Sequence, residues 1–366
     1  MDIYFEKENI HKILLVCGNS ISCLKINLYF ETLKVRKGIE VIRFSNFQPN
    51  PCYESVEEGV EVYQKNECEC IVAVGGGSAI DVAKCIKLFV NMPLGAFYLR
   101  EKIVQNNIPF IVFPTTAGTG SEATRFAVIY YKGEKQSVTD NSCIPQMVVF
   151  DSSVLSSLPL YQKKVTMLDA FCHAIEAYWS INSTEESKAY SIESIKLILT
   201  HQELYLLNDE KGYANMFYAA NLAGRAINIT QTTAGHAMSY KLTGIYHIAH
   251  GHAVALCVSK LWRYMLNNLD KCMDTRGKKY LKNIFEELAQ VMGCETSLEA
   301  AEFFEKFVEN LGLIIPTASD EEINILKKSV NQERLKNNPV RLEEETIEKL
   351  YRDILQWTKG GKKNEN

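Results

Sequence analysis

Short apolar runs rich in Val, Ile and Phe recur through the first 150 residues, and this recurrence constrains the fold more than any other feature. Helix-like segments lie between several of the runs, for example at residues 55–66 and 79–91. The runs are continuous and do not alternate with polar residues, as expected for parallel strands covered on both faces. The sequence therefore predicts a doubly wound α/β arrangement with an inserted hairpin at residues 126–138, and strands at residues 12–18, 39–44, 70–74, 108–114 and 146–151.

The character of the sequence changes after Leu158-Pro159. From residue 161 onwards, apolar residues recur with a helical period and β-branched runs are few. A chain of 366 residues, 46% of them hydrophobic, can bury two domain cores. We therefore expect an α/β domain over residues 1–157 and an all-helical domain over residues 158–366, with residues 359–366 as a frayed polar end.

Composition and charge exclude several classes of partner. The 40 lysines and arginines and 44 aspartates and glutamates give a net charge of −4 without a basic stripe, which argues against nucleic acid as a partner. No apolar run approaches the roughly 18 residues of a membrane-spanning helix, and the polar N-terminus does not look like a secretory leader. The eleven cysteines are scattered without a C-x-x-C pair, as in reduced proteins. We expect a soluble, cytoplasmic protein.

The segment CIVAVGGGSAIDVAK predicts a buried strand, a turn of three glycines and a helix. Glycines let a phosphate approach the backbone, and a helix N-terminus offers unpaired N–H groups to an anion. Ser78 can cap the helix or bond a phosphate oxygen, whereas Asp81 suits the helix dipole if it faces away from the anion. A plain strand-to-helix turn is the alternative, since the pattern is not the G-x-G-x-x-G of the usual dinucleotide fold. We interpret this turn as a candidate phosphate site.

A second turn, FPTTAGTGSEAT, follows another predicted strand. It places hydroxyl groups at the carboxyl end of the sheet, where open α/β folds bind ligands. Small and hydroxyl-bearing residues suit the contact edge of a cofactor, and a loop that caps its own helix is the alternative. The hydroxyl residues are Thr115, Thr116, Thr119 and Ser121.

A carboxylate and several imidazoles form a candidate metal site in the second half of the chain. Asp169 and His173 lie four residues apart in LDAFCHAIEAYW, on one face of an apolar helix that Glu176 continues. Burying these groups is costly unless something pairs with them, and a divalent metal would do so. His236 and His250 complete a set of one oxygen and three nitrogen ligands that suits zinc, iron, copper or nickel. A lone histidine is usually a satisfied core or surface residue, and His247 and His252 are weaker candidates.

Four segments, in their order and spacing, resemble the iron-containing alcohol dehydrogenase family: GGGSAID, PTTAGTGSEAT, LDAFCHAIEAY and AGHAMSYKLTGIYHIAHGHAVAL. The resemblance covers nearly the whole chain. It implies the architecture shared with dehydroquinate synthase, in which residues 1–157 form a dinucleotide-binding α/β domain and residues 158–366 an all-helical metal-binding domain. It also implies an active site in the cleft between the two domains.

The resemblance assigns roles to individual residues, motif by motif. It implies metal ligation by Asp169, His173, His236 and His250, and pyrophosphate binding by Gly75, Gly76, Gly77 and Ser78. The contacts on the nicotinamide side match Thr115, Thr116, Thr119 and Ser121, and less closely Asp81, Lys135 and Leu155.

Two positions depart from the family pattern. Many members carry a second histidine four residues after the first cleft histidine, where this chain has Tyr240. A phenol can hydrogen-bond a substrate oxygen but titrates far from neutrality, which weakens a histidine proton relay. Members that prefer NAD often carry an aspartate after the first strand, where this chain has Gly18. The 2′-phosphate of NADP meets no repulsion there, and Asn19 and Ser20 could donate to it.

The function implied is that of a metal-dependent, NAD(P)-linked alcohol dehydrogenase or aldehyde reductase. The cofactors implied are NADP or NAD and a divalent metal, with Fe²⁺ preferred over Zn²⁺. The substrate implied is a small alcohol or aldehyde, and the assembly expected is a homodimer. The alternative is a lyase of the dehydroquinate-synthase type that uses NAD transiently, for which more lysine and arginine would converge on the cleft.

Arg125 and Lys241 favour an anionic substrate. Arg125 follows the nicotinamide-side turn directly, and arginine can bind phosphonate or carboxylate oxygens with two parallel bonds. The segment around Lys241 also looks like a branch of the family that includes phosphonoacetaldehyde reductases. The alternative is that both cations are solvated, because adjacent helical residues such as Tyr240 and Lys241 point about 100° apart and cannot both face the metal.

Overall fold

The chain divides into two units, Met1–Leu158 and Pro159–Asn366. The computed structural model describes residues 1–93 and 95–357. Residues 359–366, expected to form a frayed polar end, lie outside the described residues. Among the helices that are described, none is both long and apolar enough to cross a membrane.

A five-stranded parallel sheet is the centre of the first unit, and the five predicted strands form it in the order β2-β1-β3-β4-β7. The last strand is shorter than predicted because only two of its residues pair with β4, after which Asp151 caps a 3₁₀ turn. The strands of this unit are β1 Lys12–Cys17, β2 Glu40–Phe44, β3 Cys70–Gly75, β4 Phe110–Pro114, β5 Phe126–Tyr131, β6 Glu134–Thr139 and β7 Met147–Val148.

Both faces of this sheet are buried. Ile71 and Ala73 of β3 belong to one hydrophobic cluster, whereas Cys70, Val72 and Val74 belong to another. Successive side chains of a strand point to opposite faces, so the two clusters lie on opposite sides of the sheet. The interpretation of the continuous apolar runs is therefore confirmed. The helices of this unit are α1 Asp2–Lys7, α2 Ile26–Lys37, α3 Tyr53–Lys65 and α4 Gly77–Phe89.

The predicted hairpin is formed by β5 and β6, which pair antiparallel. Its two turn residues, Lys132 and Gly133, have φ values of 51° and 79°. Two positive φ angles in sequence are what a tight hairpin turn requires.

The second unit is built from helices, as predicted, with one short parallel pair of strands in addition. Its core contains Trp179 and Trp262, whose rings meet edge to face at 5.3 Å. Helix α5 is buried along its whole second half, so its polar residues face protein and not water. The elements are α5 Leu160–Trp179, α6 Glu185–Leu206, α7 Glu210–Thr230, α8 Ala234–Tyr246, α9 His250–Asn267, α10 Lys278–Val291, α11 Ser297–Asn310, β8 Thr317–Ala318, α12 Asp320–Lys328, α13 Gln332–Leu335, α14 Glu344–Ile354 and β9 Gln356–Trp357.

Candidate dinucleotide site and metal centre

The glycine turn connects β3 to α4 at the carboxyl edge of the sheet. β3 ends at Gly75 and α4 begins at Gly77. Gly76, the N-cap residue, has no side chain that could accept from the first N–H groups of the helix. The turn therefore leaves an uncapped helix N-terminus, the feature that suits a phosphate.

The threonine-rich turn packs directly on the glycine turn. The Thr115 N–H donates to the Gly75 carbonyl oxygen at 3.0 Å. A Cβ atom added to Gly76 would lie 3.1 Å from Thr116 Oγ1, and one added to Gly77 would lie 3.0 Å from Thr119 Cγ2. These close approaches explain why glycines are needed here. The structure thus brings Gly75, Gly76 and Gly77 together with the three predicted threonines.

Gly18 lies at the same edge of the sheet. It follows β1, whose last residue Cys17 is in register with Val74 of β3. A Cβ atom at Gly18 would meet only Ser20 Oγ, at 3.9 Å. The position therefore has room for a side chain.

Asp81 and Ser121, two predicted cofactor contacts, are hydrogen-bonded to each other. The Ser121 hydroxyl donates to Asp81 Oδ1 at 2.6 Å, and the Val128 N–H donates to Asp81 Oδ2 at 3.0 Å. Burial raises the pKa of Asp81, although nearby Lys84, these hydrogen bonds and Lys135 oppose that shift. These hydrogen bonds hold both side chains beside the glycine turn, and their contact with a cofactor stays a prediction.

Lys135 lies on the hairpin, and Leu155 lies in the 3₁₀ turn that follows β7. Lys135 pairs in register with Tyr130 on the hairpin and is close enough to Asp81 for its charge to act on that carboxylate. The Leu155 side chain is fully buried in a 3₁₀ turn.

Lys84 organises the threonine-rich turn and was not predicted. Its Nζ atom is fully buried and donates to three carbonyl oxygens, those of Ser121 at 2.6 Å, Thr124 at 2.7 Å and Phe126 at 2.7 Å. Burial lowers the pKa of Lys84, while neighbouring anionic groups oppose that shift. A lysine within the apolar stretch AKCIKLF is the signal that could have identified it.

Three predicted metal ligands converge inside the second unit. Asp169 and His173 on α5 and His236 on α8 each offer one ligand atom, and these atoms lie within 4.8 Å of one another. His250, the first residue of α9, lies at the edge of this group: its Nε2 is 3.9 Å from Asp169 Oδ1, and its side chain is 38% exposed. The structure therefore brings all four predicted ligands together, three of them buried.

Two glycines allow the ligand-bearing helices to approach α5. A Cβ atom at Gly251 would lie 2.0 Å from the Val165 carbonyl oxygen and 2.8 Å from Asp169 Cβ. One at Gly235 would lie 2.5 Å from Val258 Cγ2 and 2.9 Å from Glu176 Oε1. No rotamer change can move a backbone carbonyl, so Gly251 in particular fixes the distance between α9 and Asp169.

Glu176, one turn beyond His173 on α5, accepts hydrogen bonds from α8 and was not assigned a role. It is completely buried, and its Oε1 accepts from Thr233 Oγ1 at 2.6 Å and from the Gly235 N–H at 2.8 Å. Its Oε2 pairs with His236 Nδ1. Spacing along α5 placed Glu176 on the same face as Asp169 and His173, but only the fold shows that it contacts His236, a predicted metal ligand.

The electrostatics of this cluster favour ionised carboxylates. Burial opposes ionisation of Asp169, but nearby His173, His236 and His250 lower its pKa below the usual range. Burial likewise opposes ionisation of Glu176, and His236 and Thr233 lower its pKa. Burial would lower the pKa of His236, but Glu176 and Asp169 raise it to about 10. Two buried anionic groups beside imidazoles form an environment that suits a cation.

Tyr240 lies beside the cluster, and Lys241 does not point towards it. The Tyr240 ring stacks on that of His250, with centroids 5.8 Å apart and planes inclined by 13°. Lys241 is exposed, as the angle between adjacent helical residues requires. In the first unit, the Arg125 guanidinium lies 5.2 Å over the Phe126 ring. Of the two weaker histidine candidates, His247 is exposed, and His252 is buried against the Tyr161 hydroxyl.

A parallel sheet with a glycine turn and an uncapped helix suits a dinucleotide, and a helical unit with a buried carboxylate–imidazole cluster suits a divalent metal. The chain belongs to the iron-containing alcohol dehydrogenase family. The model of iron-containing alcohol dehydrogenases matches residues 2–152, and the model of the C-terminal part of the same family matches residues 163–355.

Individual relatives agree with this assignment. 1,3-Propanediol dehydrogenase of Citrobacter freundii is 32% identical over 304 residues, which are 80% of this chain and 75% of that protein. The crystal structure of sulfoacetaldehyde reductase from Bifidobacterium kashiwanohense in complex with NAD⁺ is 25% identical, with a TM-score of 0.85, and the match covers 97% of this chain and 93% of that one. Aldehyde-alcohol dehydrogenase 2 of Entamoeba histolytica is 30% identical over 84% of this chain, which spans 38% of the length of that protein.

These matches confirm the predicted family and the two-part fold class. The relatives named above include an aldehyde-alcohol dehydrogenase and a 1,3-propanediol dehydrogenase, which are oxidoreductases of the kind predicted for this chain. The family is described by its iron, and the sulfoacetaldehyde reductase structure is a complex with NAD⁺. The dehydrogenase is favoured over the lyase of the dehydroquinate-synthase type.

Proposed function

We propose that one divalent metal is held by Asp169, His173, His236 and His250, and that this metal is Fe²⁺ in preference to Zn²⁺. The observation that carries this proposal is a pair of buried atoms, Asp169 Oδ1 and His236 Nε2, which lie 3.7 Å apart. Neither has a hydrogen-bond partner among the described residues. Buried polar atoms without partners are rare, and a metal ion would satisfy both. The name of the family favours iron, whereas the ligand chemistry alone does not choose.

Alanine at His250 tests this assignment. We expect the variant to lose both metal and turnover, because His250 is the one ligand supplied by α9. The exposed His247 provides the matched control, and His247→Ala should keep both. Elemental analysis that finds full metal occupancy in His250→Ala would overturn the ligand set.

The reaction proposed is hydride exchange between a nicotinamide cofactor and a small alcohol or aldehyde. The metal, when bound, supplies Lewis-acid stabilisation of the substrate oxygen, and the cofactor supplies the hydride. The residues of this chain bind and orient: the Tyr240 hydroxyl is proposed to hydrogen-bond the substrate oxygen, with its ring held by the stack on His250. No side-chain nucleophile is required.

We infer that residues 1–157 bind the dinucleotide and that residues 158–366 bind the metal. The pyrophosphate is assigned to Gly75, Gly76, Gly77 and Ser78. The nicotinamide-side contacts are assigned to Thr115, Thr116, Thr119 and Ser121, and less closely to Asp81, Lys135 and Leu155. The packing of the threonine turn on the glycine turn supports this grouping. Because Gly18 offers no carboxylate to repel a 2′-phosphate, we expect NADPH to serve at least as well as NADH.

A panel of aldehydes assayed with NADPH and NADH, after metal analysis, tests the reaction. Steady oxidation of NAD(P)H in proportion to the aldehyde supplied is expected from a dehydrogenase. A lyase that uses NAD transiently would show no net oxidation, and that result would refute the proposal.

The substrate proposed is an aldehyde that carries an anionic group, such as phosphonoacetaldehyde. Arg125 is the cation that supports this, together with the likeness to a reductase of sulfoacetaldehyde, itself an anionic aldehyde. Lys241 is exposed, so we do not propose it as a second cation for the anionic group. We therefore expect Arg125→Ala to lose activity selectively with phosphonoacetaldehyde relative to a small neutral aldehyde, and Lys241→Ala to show no such selectivity. Equal losses with both substrates in Arg125→Ala, or no use of the charged aldehyde by the unmodified protein, would end this part of the proposal.

A cytoplasmic homodimer completes the proposed description. All eleven cysteines are free thiols, which supports a reducing compartment. Light scattering on the purified protein measures the assembly, and a monomeric mass would refute the dimer.

A further inference from the structure

We propose that Glu176 is a positioning residue that holds the His236 imidazole with its proton on Nδ1, so that the Nε2 lone pair faces the metal. This inference rests on the proposed metal function. Glu176 would not itself be a ligand, because both of its oxygens already accept hydrogen bonds from α8 and the residue that precedes it.

The hydrogen bonds around Glu176 fix both its charge and its orientation. Oε1 accepts from Thr233 Oγ1 and from the backbone N–H of Gly235, and the backbone N–H of His236 lies 3.4 Å away. Thr233 is held in turn by the Trp179 indole N–H, which donates to Thr233 Oγ1 at 3.0 Å. The Thr233 hydroxyl and the Gly235 N–H both donate to Oε1, so the carboxylate cannot rotate without losing these two hydrogen bonds. Oε2 is therefore left to face one atom, His236 Nδ1.

The tautomer of His236 follows from this contact. A carboxylate oxygen can only accept, so Nδ1 must carry a proton. The proton that metal binding displaces to solvent is then the one on Nε2, and its loss leaves the lone pair on Nε2. Nε2 is the atom that lies 3.7 Å from Asp169 Oδ1 in the ligand cluster. Carboxylates that orient a metal-binding histidine in this way typically raise metal affinity about 10- to 100-fold.

Glutamine at position 176 tests the mechanism with little change of shape. Its carbonyl oxygen keeps the bonds from Thr233 and Gly235, and this forces its NH₂ group to face Nδ1. The amide then donates to Nδ1 and drives the imidazole proton to Nε2, where it blocks ligation. Glu287→Gln is the matched control, because Glu287 is an exposed carboxylate that also accepts from a residue of α5, Tyr178, at 2.9 Å.

The measurement is zinc affinity of the metal-free full chain, by competition with a chromophoric chelator. We expect Glu176→Gln to bind zinc about 10- to 100-fold more weakly than the unmodified protein, and Glu287→Gln to bind it equally well. The absorption spectrum of the Co²⁺ form should change in Glu176→Gln only. Thermal unfolding of the metal-free variants should be similar, since the retained bonds hold Glu176→Gln together.

The outcomes separate this inference from the proposed function. An unmodified protein that binds no zinc would refute the metal site, and the inference with it. Zinc binding by the unmodified protein with an unchanged affinity in Glu176→Gln would refute only the role of Glu176.

A second measurement needs no variant at position 176. In the zinc-loaded protein labelled with ¹⁵N-histidine, His236 should show a protonated Nδ1, with the signal assigned from its loss in His236→Gln. Ligation through Nδ1, with the proton on Nε2, would overturn the inference even if Glu176→Gln failed to fold.

Discussion

Alanine at Gly251 is expected to destabilise the second unit and to weaken metal binding. The added Cβ would lie 2.0 Å from the Val165 carbonyl oxygen and 2.8 Å from Asp169 Cβ. Non-bonded heavy atoms are most stable roughly 3.5 Å apart, so α9 and α5 must separate by about 1 Å or more. Overpacking of this kind costs about 1–3 kcal/mol, and for a unit of this size the melting temperature should fall by about 2–12 °C.

The same separation acts on the metal ligands. His250 begins α9 immediately before Gly251, and its Nε2 lies 3.9 Å from Asp169 Oδ1. Functional constellations tolerate displacements of only about 0.5 Å, so a shift of about 1 Å should also lower metal content. Circular dichroism of the metal-free protein measures the first effect, and elemental analysis of the metal-loaded protein measures the second.

Gly244 provides the matched control within α8. A Cβ atom there would meet nothing within 4 Å, so Gly244→Ala should leave metal content unchanged and stabilise the helix by about 0.5–1 kcal/mol. The reasoning is refuted if Gly251→Ala melts as high as Gly244→Ala and keeps its metal.

Three further predictions concern the two units separately. Lys84→Met should lower the free energy of unfolding in urea by about 3–5 kcal/mol, because removing the buried ammonium leaves its three carbonyl partners without a donor. A urea midpoint equal to that of the exposed control Lys34→Met would contradict this. Gly18→Asp should shift cofactor preference towards NADH, about tenfold for each 1.4 kcal/mol of lost 2′-phosphate interaction, and an unmodified protein that already prefers NADH strongly would invalidate the premise. Removal of the metal by a chelator should lower the melting temperature, since ligand at 100 times its Kd stabilises by about 2.7 kcal/mol. The loss should be reversed by added metal, and a melting temperature that is insensitive to metal would argue against the site.

Much of the first unit could be predicted because its signals are local. The run CIVAV is continuous and apolar, so a buried parallel strand was the consistent interpretation, and Gly75–Gly77 marked the turn that follows it. The last strand was predicted too long, because QMVVFD has strand-forming residues throughout but only Met147 and Val148 find partners on β4. Pairing depends on a neighbouring strand that is distant in sequence, and residue preference alone does not contain it.

The ligand cluster could be predicted in part for the same reason. Asp169 and His173 share one helix face, and their spacing alone places them together. The role of Glu176 depends on contacts with Thr233, Gly235 and His236, about 60 residues away. Spacing on α5 shows only that Glu176 points the same way as the ligands. Its hydrogen bond to His236 depends on the close approach of α8 to α5, which Gly235 permits.

Asp81 and Ser121 show that a motif does not reveal the internal partners of its polar side chains. Both lie beside the glycine turn, where a hydroxyl or carboxylate could serve a cofactor, and both have the chemistry for it. A serine hydroxyl and an aspartate that approach to 2.6 Å satisfy each other first, because each would otherwise be a costly polar group. Lys84 then closes the arrangement by binding the Ser121 carbonyl oxygen at 2.6 Å. These polar side chains therefore stabilise the turn from within, and the motif alone did not predict that role.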